Sequence, residues 1–129
     1  MVDPSLVPTL KKQHAALAES LGSFTNKTPS SADIKHFTVA LLAHLNLEDT
    51  KLYPALADGG AISRAVASGF QMTMTSLAKA ATAFVQKWSE NEPSSDETAF
   101  HNELRVVVEK LSERIRTEEE KLYPLVEKL

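Results

Sequence analysis

The chain predicts an all-α fold, an up-down-up-down antiparallel four-helix bundle, on three features of its sequence. Apolar residues recur at alternating steps of three and four along four separate stretches, the spacing of inward-facing positions in a bundle. Alternating strand patterns are nearly absent. The third feature is a repeat: Glu48-Asp49-Thr50-Lys51-Leu52-Tyr53-Pro54 returns as Glu118-Glu119-Glu120-Lys121-Leu122-Tyr123-Pro124, offset by 70 residues.

The repeat extends upstream, pairing Leu41 with Leu111, His44 with Arg114 and Leu45 with Ile115. At an offset of 60, Leu10 pairs with Phe70, His14 with Met74, Leu17 with Leu77 and Phe24 with Phe84. Two helical hairpins on one template follow from these matches.

Each helix has its own signals. Asp3-Pro4 reads as an N-cap followed by proline at the first helical position. The first seam then runs Val7, Leu10, His14, Leu17 and Leu21, with Gly22 and the polar stretch 25–30 ending the helix. The second begins near Ser31 and follows Ile34, Phe37, Leu41, His44, Glu48 and Leu52, closed by Pro54 and Gly59-Gly60. The third covers about 61–90, with Ala67, Phe70, Met74, Leu77, Ala81, Phe84 and Trp88 as its seam. Ser94 with Glu97 reads as a capping box for the fourth, which follows Leu104, Val107, Leu111, Arg114, Glu118 and Leu122. The short connections make successive helices antiparallel neighbours.

The 129 residues suit one domain, 1–129, with 43% hydrophobic and 24% charged residues. A net charge of −3 and scattered basic residues give no footprint for nucleic acid. Without cysteine, disulfides, thiolate metal sites and cysteine nucleophiles are excluded. No apolar run reaches the roughly 20 residues of a membrane span, and no signal-peptide pattern precedes the first helix; a cytoplasmic location is the expectation.

Ionisable residues interrupt the seams at matching depth. His14, His44, Met74 and Arg114 fall on one level, with Glu48 and Glu118 one turn along. A buried unpaired carboxylate or guanidinium costs several kcal/mol, so these groups must be paired or bound to a metal. Imidazole with carboxylate suits iron, manganese or zinc, and His44 and Glu48 at i, i+4 reach one ion.

With His14 in a leading helix, His44-x-x-x-Glu48 before Leu-Tyr-Pro, and Glu118 before a second Leu-Tyr-Pro, the chain resembles the hemerythrin-like (HHE cation-binding) domains. The resemblance covers nearly the whole chain. It implies a four-helix bundle with a non-haem di-iron centre that carries or senses oxygen, and it places His14, His44, Glu48 and Glu118 at metal-ligand positions. It also implies histidines where Met74 and Arg114 stand. A thioether is a poor ligand for hard iron, and a guanidinium cannot coordinate a cation. A full two-iron site is therefore not expected.

Two readings remain open. One is a metal-binding domain, with iron at a reduced ligand set and possible oxygen or redox sensing. The other is a metal-free regulatory or interaction module in which the fork of Arg114 binds Glu48 or Glu118 bidentately in place of metal. No enzyme is expected: no phosphate-binding loop and no Ser-His-Asp order stands out. The tyrosines are expected at helix ends with hydroxyls in water, His36 and His101 on the surface, and Met72 and Met74 in core gaps. Leu47, Val108 and Val126, off the seams, suggest a modest additional contact; a protein partner is left unidentified.

Overall fold

A computed structural model describes residues 3–129, apart from the Leu77 side chain, and has six α-helical segments arranged as four rods. The first rod is α1 (Leu6–Asn26). The second joins α2 (Ser31–Leu47) to α3 (Tyr53–Asp58) through a π-helical turn at Glu48–Leu52. The third is α4 (Ala61–Glu90). The fourth joins α5 (Glu97–Thr117) to α6 (Tyr123–Glu127) through a second π turn at Glu118–Leu122. Packing runs round the ring: α1 on α2, α2 on α4, α4 on α5, and α5 back on α1. This is the expected four-helix bundle.

The π turns are the main departure from the continuous helices expected, and proline explains both. Pro54 and Pro124 have no N–H for the carbonyls of Thr50 and Glu120, and their rings crowd those carbonyls. The backbone widens by one residue ahead of each proline. Tyr53 N–H then bonds Glu48 O, and Tyr123 N–H bonds Glu118 O, five residues back. The widened step buries Leu52 and Tyr53 together, and likewise Leu122 and Tyr123.

Helix ends follow local chemistry, with three corrections. The N-cap of α5 is Asp96, whose carboxylate accepts from Ala99 N–H; Ser94 sits in a 3₁₀ turn at Pro93–Asp96. Helix α1 passes through Gly22 to Asn26, because nothing there requires glycine's freedom, and the chain turns extended only at Lys27. Asp3 does accept from Ser5 N–H, yet the helix begins at Leu6. Ser30 and Asp33 form a capping box for α2. Between α3 and α4, Gly60 adopts φ +110°, a region closed to side-chain-bearing residues.

The apolar core lies in two blocks. One, toward the α1–α2 and α4–α5 connections, holds Leu17, Leu21, Phe37, Leu41, Phe84, Trp88, Phe100 and Leu111. There Trp88 meets Phe100 edge-on at 5.3 Å between ring centres. The other, at the end carrying both Leu-Tyr-Pro motifs, holds Val7, Leu10, Leu52, Leu56, Met74, Leu122 and Val126. Each buried leucine or phenylalanine contributes about 1.5–3 kcal/mol to folding.

Val126 is thus a core residue, and Leu47 and Val108 are half-buried against the two blocks rather than forming an outer contact. Met72, expected in a core gap, is 77% exposed, while Met74 is buried. Met72 lies two residues from Met74, so the helix turns it by about 200° to the outer face. No helix among the described residues is long and apolar enough to cross a membrane.

Candidate metal centre

Between the two apolar blocks lies a polar layer. His14 comes from α1, His44 from the last turn of α2, Glu48 and Glu118 from the starts of the π turns, and Arg114 from the last turn of α5; all five are at least 96% buried. The sequence-predicted residues therefore meet on one cross-section.

Distances within the layer are short. His14 Nε2 lies 3.1 Å from both His44 Nε2 and Glu118 Oε1, and His44 Nε2 lies 3.3 Å from Glu48 Oε1. One ligand atom from each of His14, His44, Glu48 and Glu118 fits within a mutual spread of 4.8 Å. Bonds of about 2.0–2.2 Å to a transition metal place neighbouring ligands about 3.0–3.4 Å apart, and the three short edges match that spacing.

The outer atoms fix the orientation. Glu119 Oε2 lies 3.3 Å from His14 Nδ1, and Gln13 Oε1 accepts from His44 Nδ1 at 2.8 Å. Both Nδ1 protons are thereby held outward and both Nε2 atoms turned inward, the tautomer that ligation through Nε2 requires. Two imidazole lone pairs and two carboxylates facing one point form an electron-rich cage that needs a cation or protons to be stable. A void of about 20 Å³ adjoins the cage on its apolar side, between the layer and Leu17, Leu21, Leu41 and Leu111.

Arg114 supplies part of that positive charge. Its Nη2 donates to Glu48 Oε1 at 2.9 Å, its Nη1 to the Met74 carbonyl at 3.4 Å, and its Nε lies 3.6 Å from Glu118 Oε2. The expected bidentate fork on one carboxylate is therefore corrected: the guanidinium spans two. Coming from the turn preceding Glu118, it approaches the gap between the carboxylates edge-on. The residues fit a single ion beside Arg114, whereas the positions of Met74 and Arg114 offer no ligands for a second.

Protonation follows from burial and charge. Burial, reinforced by Glu48, pushes the Glu118 carboxyl well above the usual range. Burial also opposes ionisation of Glu48, but contacts with His44, Glu118 and Arg114 outweigh it and hold Glu48 low. Without a metal the pair thus carries one negative charge, balanced by Arg114. Burial and His44 lower the pKa of His14.

Because folded Glu118 keeps a proton that the unfolded chain loses above pH ~4.5, its contribution to stability is complete below that pH and declines as pH rises toward the raised value. In chelator, the unfolding free energy from urea titrations is expected to fall between pH 7 and 9, by up to ~1.4 kcal/mol per unit. Glu118→Gln should flatten this slope; an unchanged slope would show that Glu118 is ionised in the fold.

The tyrosines depart most from expectation. Tyr123 is fully buried, stacks on His14, lies with its hydroxyl 3.1 Å from His14 Nε2, and donates to Glu48 Oε2 at 3.2 Å. The Tyr53 hydroxyl is buried and has no partner among the described residues. Met74, where the repeat has His14, explains this in part, because a thioether offers Tyr53 no ring nitrogen. The signal in the sequence was the proline six residues after each glutamate, which creates the π turn. His36 is exposed as expected, but His101 is half-buried and bonded to Thr28 Oγ1 at 2.9 Å.

No curated protein and no solved structure matches the chain. The family model described as Hemerythrin HHE cation binding domain matches residues 5–126, from the start of α1 to the end of α6, and so includes every residue of the layer. By that match, on a four-helix bundle with a buried His–Glu cage, the chain belongs to the hemerythrin HHE cation-binding domain family.

Proposed function

We propose that this domain binds one non-haem iron ion through His14, His44, Glu48 and Glu118 and uses it, without catalysis, to sense oxygen or redox state in the cytoplasm. The observation that carries the reading is the set of four buried ligand atoms within 4.8 Å of one another. Imidazole and carboxylate together suit iron, and iron would supply one-electron chemistry at this position. The protein's own part is to hold both imidazoles with Nε2 inward, to give up the Glu118 proton as the ion enters, and to exclude water with the leucine blocks on either side.

An open groove beside α4 has Leu45, Tyr53, Met74 and Arg114 among its lining residues and offers a route to the layer.

A second reading rests on the 2.9 Å contact between Arg114 and Glu48: a metal-free regulatory or interaction module whose layer is held by that ion pair. Elemental analysis of the untagged protein separates the two. The metal reading expects about one iron per chain, falling below about 0.1 in His44→Ala. No ion in either, at full folding by circular dichroism, would favour the metal-free module.

A further inference from the structure

We propose that Tyr123 is a fifth ligand of the ion, bound as phenolate, and that it biases the site toward ferric iron. The inference rests on the single-ion reading above. The Tyr123 hydroxyl lies 3.1 Å from His14 Nε2 and 3.2 Å from Glu48 Oε2. The 3.1 Å separation from His14 Nε2 equals the distances from that atom to His44 Nε2 and Glu118 Oε1, so the phenol oxygen borders the same cluster of ligand atoms, on the side of the second Glu48 oxygen. Its ring is packed parallel to His14, 16° between planes and 5.5 Å between centres, which leaves it little freedom to swing out.

Coordination breaks the O–H bond and forms an oxygen–metal bond with no change of oxidation state. The proton leaves to solvent, because Glu48 stays ionised as a ligand of the ion. A phenolate is a hard anionic oxygen donor; with one carboxylate charge offset by Arg114, it supplies the negative charge that a trivalent ion demands. Zinc has less need of it. Tyr53, the counterpart in the repeat, faces no such set, since Met74 and Arg114 replace the two histidines of its half.

The chain has two tyrosines, so the test is clean. Iron-loaded wild-type protein and Tyr53→Phe should both show a visible phenolate-to-iron charge-transfer band, with phenolate modes in resonance Raman spectra. Tyr123→Phe should lose both signals while still binding one zinc, with ferric affinity down about tenfold or more and zinc affinity changed by less than about threefold. If Tyr123→Phe does not fold, the Raman spectrum of Tyr53→Phe decides, because Tyr123 is then its only tyrosine. Stoichiometric ferric iron without the band in wild-type protein, or a band surviving in folded Tyr123→Phe, would overturn the tyrosine ligand and leave the four-ligand site standing. Failure to bind either iron or zinc would overturn both.

Discussion

Arg114→Leu is expected to lower the unfolding free energy of the metal-free protein by about 3–5 kcal/mol at neutral pH. Arg114 and Glu48 are both buried, and their 2.9 Å contact is the closest approach of opposite charges in the layer. Removing the guanidinium leaves the Glu48 carboxylate beside Glu118 with no cation. The chain must then keep an unpaired buried charge or take up a second proton, and either costs stability. The loss should shrink toward pH 5, where that proton is readily available. Leucine retains most of the apolar contact of the arginine stem, so lost charge rather than lost packing dominates. Adding Glu48→Gln should restore about half of the loss or more, because the uncompensated anion is gone. Urea titrations of the four proteins in chelator measure this cycle. A change within about 0.5 kcal/mol for the single variant would mean that the arginine reaches solvent.

The second large effect concerns ion stoichiometry. Met74→His combined with Arg114→His is expected to raise bound iron from about one to about two per chain. Both substitutions place an imidazole where the repeated template implies one, near Glu118 and the orphaned Tyr53 hydroxyl. They also remove a fixed positive charge only a few Å from any ion, a repulsion worth on the order of 100-fold in affinity or more. Titration calorimetry with elemental analysis gives the count. A count that stays at one would show that Arg114 does not occupy the place of a second ion.

These expectations share a cause. The two helical hairpins follow one template but differ in chemistry at matching positions. One half has His14, His44, Glu48 and a hydrogen-bonded Tyr123; the other has Met74, Arg114, Glu118 and a Tyr53 hydroxyl with no partner among the described residues. The proposed ion would share with Arg114 the neutralisation of the same two carboxylates.

Much of this was legible in the chain. A three-and-four spacing places a side chain on the inner face whatever its chemistry, so the burial of His14, His44, Glu48, Arg114 and Glu118 could be read from the leucines around them. The tyrosines and Val126 could not be read in the same way. They lie at and beyond the π turns, where the helical period fails and a residue assigned to the outside is carried in.

Local spacing therefore determined the four rods, their order and the level of the polar layer, because each depends on the backbone's own period. The tertiary structure decided which atoms meet: that Arg114 spans Glu48 and Glu118, that Gln13 and Glu119 turn two imidazoles inward, and that one tyrosine joins the cage while its twin is left without a partner. Those outcomes depend on distances of a few tenths of an ångström between separate helices, which no single helix encodes.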